Sequence, residues 1–261
     1  MNCSEETSIK VSIITAAYKS KTTIGEAINS VANQTYPNIE HIIIEGKSED
    51  GTLEEIRRYK HNRMRLMSES DDGLFHAFNK GIKEATGDVI GFVHSDDFFA
   101  HKKTLARIMA EFEDPTVEAV FSDLDYISNI DKSLVIRKWI SRTFHPSLLK
   151  YGWMPAHPTL YLRREVYERL GLFDQNMRIS GDYDFILRYF SQKNLNSVYI
   201  PETLYKMRIG GNSNCNWINI YKKMKEDMIA IRRNRTGGFH TLLLKSFSKI
   251  GQYFIKFDHK T

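Results

Sequence analysis

Four times in the first 112 residues, a short apolar run gives way to a polar turn and then to apolar residues at helical spacing. Residues 9–15 (IKVSIIT) are rich in β-branched side chains, Lys19 to Thr23 is polar, and Ile24, Ala27, Ile28 and Val31 then line one helix face. The unit recurs as 40–45 followed by 53–59, 64–68 followed by 74–85, and 88–93 followed by 103–112. Such alternation predicts an α/β architecture: a Rossmann-like, mostly parallel central sheet with helices on both faces. Ligands of such sheets bind beyond the carboxyl ends of the strands, near the switch in strand order. After Phe121 the pattern loosens into a polar stretch through Lys132, an apolar and aromatic segment over 134–153, a helical run after His157 and another over 185–190. With no internal repeat and no linker before Gly210-Gly211, the simplest partition is a catalytic domain over 1–210 and a helical C-terminal tail over 211–261.

At 91–100 the chain reads GFVHSDDFFA, so a strand-like run ends in two adjacent carboxylates, Asp96 and Asp97. Two like charges about 4 Å apart repel by roughly 1 kcal/mol in water and about 4 kcal/mol near a protein surface. A solvated turn offsets this by keeping the charges wet. A divalent cation offsets it more fully, because hard ions collect carboxylate oxygens and complete their shell with water and substrate phosphates. The position just past a strand end favours the cation over the turn.

Composition narrows the remaining classes. The chain is 41% hydrophobic and 26% charged, ordinary globular values. Cys3 and Cys215 stand far apart without a Cys/His cluster, so neither a structural zinc site nor a disulfide framework is expected, and a reducing cytoplasm fits. The N-terminus lacks the pattern of a signal peptide, and no segment offers about 20 uninterrupted apolar residues for a membrane span. Lys and Arg crowd the last 40 positions, which points to phosphates or an anionic membrane surface, whereas no RNA or zinc-finger motif points to nucleic acid. On a helical wheel Leu243, Phe247, Ile250, Phe254 and Phe257 share one face, with Lys245, Lys249 and Lys256 opposite. That describes a helix lying in a membrane interface or, equally, one packed on its own domain or a second subunit.

Phosphate-binding signatures are missing: there is no GxxxxGK[ST] and no GxGxxG after the first strand. A rival acidic pair, Asp123 and Asp125 in AVFSDLDYIS, looks like the nucleophile strand of haloacid-dehalogenase-type phosphatases, but four strand–helix units precede it where none should.

Read together, VSIITAAYKS (11–20), QTYPNIEHIIIEGKSEDGT (34–52), ESDDGLFHAFNKGIKEATGD (69–88), VIGFVHSDD (89–97), LYLRREVYERLGLFD (160–174) and SGDYDFILR (180–188) resemble family 2 glycosyltransferases over roughly 9–210. The resemblance implies the GT-A fold and inverting transfer from a nucleotide sugar. It implies a DxD-type Mg²⁺ or Mn²⁺ site at Ser95-Asp96-Asp97, with Asp97 the direct ligand and Asp96 nearer the ribose or sugar, and it implies Asp182 as the base. It further implies a UDP-hexose or UDP-N-acetylhexosamine donor, glucose or galactose foremost. By analogy with relatives in bacterial O-antigen and surface-polysaccharide assembly, it implies a polyprenyl-diphosphate-linked saccharide acceptor at the inner face of the cell membrane. Two positions depart from the family: Glu45 stands where Asp reads the uracil ring, followed by Gly46-Lys47, and His76 stands where relatives carry Asp. Both leave the donor base and sugar open.

For each further candidate there is a plainer role. Ala16 and Tyr18 end the first strand, where they flank a nucleobase. Glu45 accepts the uracil imide proton or sits in an acidic turn. Asp72-Gly73 and Asn79-Lys80 bracket a helix start suited to phosphate or ribose. Asp182 is a base, an N-cap, or both, with Asp184 as its fallback. His157 contacts the donor or acceptor sugar or is a satisfied core histidine, and Trp153 stacks on a sugar or fills the core. A nucleotide-sugar-forming nucleotidyltransferase would want a Gly- and Arg-rich loop where AAYKSKTT stands, and a non-catalytic carbohydrate- or nucleotide-binding protein would not need Asp96, Asp97 and Asp182 together.

Overall fold

In the computed structural model, which describes residues 8–209 and 217–248, the four units fold as strand–helix pairs. They are β1 (Val11–Ala17), α1 (Ile24–Ala32), β2 (Ile39–Glu45), α2 (Thr52–Arg58), β3 (Met64–Ser68), α3 (Leu74–Glu84), β4 (Val89–Phe92), β5 (Phe98–Phe99) and α4 (Thr104–Glu111). The two-residue β5 interrupts the last unit. Val11, Ile13 and Ile14 of β1 and Ile42, Ile43 and Ile44 of β2 are all fully buried, as strands covered on both faces must be.

The second half supplies β6 (Ala119–Ile127), β7 (Val135–Trp139), β8 (Tyr161–Arg163), α5 (Arg164–Leu170), α6 (Gly181–Phe190), β9 (Ser197–Arg208), α7 (Trp217–Arg233) and α8 (Phe239–Ser248). The sheet order is β3-β2-β1-β4-β8-β6-β9-β5, with β7 on β6. Pairing is parallel among β3, β2, β1 and β4 and between β6 and β9; β8, β5 and β7 pair antiparallel. The parallel half is the part that the strand–helix periodicity predicts. The short β8 was expected to be part of a helical run; Tyr161 and Leu162 extend it between β4 and β6 before α5 begins at Arg164.

Residues on both sides of the expected division at 210 share a core cluster. Ala230, Ile231 and Leu242, on α7 and α8, are buried in the same cluster as Phe185, Tyr183 and Phe92. Lys245 was expected on the polar face of a tail helix, yet it is 3% exposed, its Nζ 2.8 Å from Asp227 Oδ1 and 3.1 Å from the Tyr183 ring centroid. Phe239 and Phe247 are 63% and 62% exposed, with Leu243 and Leu244 also open. The helix therefore docks through its lysine and turns apolar residues outward. Ile250, Phe254 and Phe257 lie outside the described residues.

Candidate active site

The parallel strands β1, β2, β3 and β4 end together, and the loops beyond them gather the polar residues that the helices leave free. Asp97, a turn past β4, is fully buried. Its Oδ1 accepts the backbone N–H of Arg208 at 3.0 Å, while its Oδ2 is buried without a hydrogen-bond partner and stands 3.7 Å from His94 Nδ1. Burial and then the charge of Asp96 push the Asp97 carboxyl well above the usual carboxylate range; the Arg208 amide and guanidinium and the Tyr205 hydroxyl oppose them. An unsatisfied buried oxygen costs about 1–3 kcal/mol, more when charged. Ligand atoms of His94, Asp96 and Asp97 all lie within 4.8 Å of one another. This donor set, with its orphaned carboxylate oxygen, fits a divalent cation.

Across from the acids stands α6. Asp182 is in its first turn and is partly exposed. Three consecutive amides ahead of it, those of Arg178, Ile179 and Ser180, donate to the Glu226 carboxylate at 3.0, 2.8 and 2.8 Å. Gly181 is needed because a Cβ there would lie 2.8 Å from the Phe75 ring, so only glycine lets the start of α6 press against α3. His94 and His157 both feel the charge of Asp182, and their rings lie 5.9 Å apart. Burial, against the pull of Asp182, lowers the His157 imidazole to about 4, so it is neutral at physiological pH.

Three residues meet just past the end of β2. Tyr18 is 59% exposed there, and a Cβ on Gly46 would fall 2.6 Å from Asp71 Oδ2 and 3.2 Å from the Tyr18 ring. Asp71 thus packs over Gly46; Asp72 instead contributes its backbone, its N–H donating to His76 Nδ1 and its carbonyl accepting from Arg178. In the D-x-G pattern Asp71 is the acid two before Gly73, a signal present in the sequence. Gly73 takes φ +117 at the start of α3, a left-handed conformation that glycine tolerates. Ala16 is half-buried against the core.

Several other candidates have roles inside the fold. Glu45 is fully buried, and its carboxylate already accepts Ser48 N–H, Ser68 Oγ and Lys47 N–H at 2.6, 2.7 and 3.1 Å. Asn79 clamps Phe173 through both its N–H and its C=O. Lys80 Nζ donates to the Ser70 carbonyl at 2.8 Å and pairs with Glu69 at 2.9 Å. Trp153 lies in an aromatic cluster with Phe121, Phe144 and Phe190. Asp184 is fully buried, binding Arg188 at 3.1 Å and Asn234 at 3.2 Å, and so ties α6 to α7 on the side away from Asp182. Asp123 accepts Ser141 N–H and Tyr199 O–H, each at 2.7 Å, as a brace within β6.

A sheet of this order, with acidic loops beyond its parallel strands, is that of the GT-A glycosyltransferases, as the comparisons with known proteins show. The sequence pattern of Glycosyl transferase family 2 matches residues 12–171, and the chain belongs to that family. It is 29% identical over 191 residues to the PGL/p-HBAD biosynthesis glycosyltransferase of Mycobacterium bovis, covering 72% of each chain. It is 29% identical over 226 residues to the uncharacterized glycosyltransferase EpsJ of Bacillus subtilis, covering 78% of this chain and 62% of that one. The fold is shared with residues 1–349 of S. aureus TarS (TM-score 0.68, 20% identity, 96% of this chain and 76% of that one). It is also shared with the mannosyltransferase PcManGT of Pyrobaculum calidifontis, solved with GDP-Man and Mn²⁺ (TM-score 0.66, 19% identity, 92% and 69%).

Proposed function

We propose that this glycosyltransferase moves a hexose or N-acetylhexosamine from a UDP-sugar to a saccharide acceptor by single displacement with inversion. The observation that carries the reading is the buried, unpartnered Oδ2 of Asp97 beside Asp96, linked through His94 to the field of Asp182. Asp97 and Asp96 would hold Mg²⁺ or Mn²⁺, which when bound supplies positive charge where the leaving diphosphate becomes negative. Asp182 accepts the proton of the attacking hydroxyl, and Glu226 keeps the loop before it in place. Tyr18, Gly46 and Asp71, gathered past the end of β2, take the nucleobase, with Asp71 in the part expected of Glu45, whose buried carboxylate is engaged by Ser48, Ser68 and Lys47. Two fold neighbours support a nucleotide-sugar donor and a metal: TarS was solved with UDP-GlcNAc, and PcManGT with GDP-Man and Mn²⁺.

The acceptor in this reading is polyprenyl-diphosphate-linked, and the protein works at an anionic membrane surface. Support comes from the outward apolar residues of α8 and from exposed Ile218, Ile220 and Tyr221 on α7, interspersed with Lys222 and Lys225. Among the described residues no helix is long and apolar enough to cross a membrane.

The test is release of UDP from a panel of UDP-sugars, with lipid-linked monosaccharide acceptors, in the presence and absence of Mn²⁺. Release should require metal and be abolished by Asp97→Ala, and Asp182→Asn should lower kcat by about 10²–10⁴-fold. Unchanged turnover in either variant removes that residue from the mechanism.

A further inference from the structure

Among the described residues, the one group of three metal-ligating side chains able to share an ion includes a histidine, His94, beside the two aspartates. His94 Nδ1 faces Asp97 Oδ2 across 3.7 Å, too far for a hydrogen bond. The Oδ2 has no other partner, and His94 Nε2 is likewise buried and unpaired. The imidazole, partly exposed but with its Nε2 buried, is therefore not held where it is by hydrogen bonds. Two atoms that each ligate one ion at about 2.1 Å can be at most about 4.2 Å apart. Ligand atoms already within 4.8 Å of one another need to close by only about half an ångström to meet that limit.

Resting on the metal-dependent reading above, we infer that His94 is a third protein ligand of the ion, giving a mixed nitrogen–oxygen set that favours first-row transition ions over Mg²⁺. Imidazole nitrogen is a softer donor than carboxylate oxygen; affinity at such a site rises from Mn²⁺ through Co²⁺, whereas Mg²⁺ prefers an all-oxygen shell. The backbone brace from Arg208 occupies Asp97 Oδ1 and leaves Oδ2 as the atom that meets the ion together with His94.

The experiment loads the full-length protein with Mn²⁺ alone and measures nitrogen hyperfine coupling by pulsed electron paramagnetic resonance, using protein grown with ordinary and with ¹⁵N-labelled histidine. One directly bound imidazole nitrogen, changing signature with the label, is the expected result and needs no variant. His94→Ala should lose that coupling and weaken Mn²⁺ binding about tenfold or more, while Mg²⁺ binding, read by competition, changes by less than about threefold. Bound Mn²⁺ lost in Asp97→Ala but lacking nitrogen coupling in the unaltered protein overturns the histidine ligand and leaves the acidic pair standing. Coupling that persists in His94→Ala overturns it also. No Mn²⁺ binding, with or without UDP, overturns both this inference and the metal-dependent reading beneath it.

Discussion

Arg208 holds Asp97 from the far end of β9: its backbone N–H donates to Asp97 Oδ1 at 3.0 Å, and its guanidinium donates to the carbonyl of Asp96. Glu26 of α1 grips the other arm of the same guanidinium and is itself paired with Lys132 at 2.8 Å. Two carboxylates that repel each other are thereby kept at one place by a residue 111 positions away in sequence. Arg208 and Asp96 also line one cleft of about 430 Å³ with Thr22, Thr23 and Asn129.

Substitution of Arg208 removes the side-chain part of this brace and leaves the backbone contact. Arg208→Ala should raise the Mn²⁺ concentration for half-maximal turnover about tenfold, the usual cost of losing a group that orients a metal ligand. Arg208→Lys keeps the charge but not the two-armed geometry and should fall between. Metal activation curves for the three proteins check this, and superimposable curves would refute it.

Glu226 acts on the other half of the site. Glu226→Ala leaves three amides ahead of Asp182 without their acceptor, and Glu226→Gln keeps an oxygen but not the charge. Bonds to a charged acceptor contribute about 1.5–3 kcal/mol each; water replaces part of this at exposed Arg178 but not at the buried Ser180. The expected outcome is a kcat lower by about 10- to 100-fold with the donor KM little changed, because misplacing a proton acceptor affects the chemical step rather than binding. A rise in KM at constant kcat would assign Glu226 to donor binding instead.

Stability should fall on acidification from a pH well above the carboxylate range. His41 is fully buried, its Nε2 3.1 Å from Thr15 Oγ1 and its Nδ1 3.3 Å from His61 Nε2. Burial first, then the charges of His61 and Arg63, push its imidazole down to about 3. The unfolded chain takes up that proton near pH 6.5. Between these values the unfolded state binds more protons, so stability drops as pH falls, by up to about 1.4 kcal/mol per pH unit from this group. Glu40 acts in the same direction at lower pH: burial raises its carboxyl, but Thr86 N–H, Ser12, Arg65 and Lys10 bring it below its usual range. Denaturation midpoints from pH 7 to 4 should decline, and His41→Gln should flatten the upper part of that decline. A variant curve parallel to the original would dismiss His41 as its source.

The parallel half of the sheet and the acid pair were legible because each depends on local pattern: apolar runs of β2 type are buried on both faces, and Asp96-Asp97 follow a strand directly. What was not legible depends on partners distant in sequence. Glu45 reads as a nucleobase contact from its position alone, and the sequence does not show that its carboxylate accepts Ser48, Ser68 and Lys47 inside the fold. Nothing in MKEDM announces that Glu226 caps the amides before Asp182, or in LYKMR that Arg208 braces Asp97. Lys245 illustrates the limit of helical-wheel reasoning: the wheel separates the faces correctly, but the face with the lysine goes inward because Asp227 and the Tyr183 ring receive it there.

That inversion makes a prediction about α8 that separates stability from membrane contact. Burial disfavours ionisation of Asp227, but Lys245 and Lys223 hold its carboxyl below the usual range, so the group is a buried anion that needs its cations. Removing one partner of a buried pair typically costs about 3–5 kcal/mol, and the surviving contact to Lys223 at 3.2 Å should keep Lys245→Met near the lower end. Adding Asp227→Leu removes the stranded charge and should recover most of the loss, as apolar replacement of whole buried pairs does. Neither change touches the outward face, so binding to vesicles containing about a third anionic lipid should be the same per folded molecule. Phe247→Asp should do the reverse, leaving the unfolding free energy within about 0.5 kcal/mol, as exposed substitutions do, and abolishing sedimentation with the vesicles. Retained sedimentation of Phe247→Asp, or its loss in folded Lys245→Met, would show that this face is not what meets the membrane.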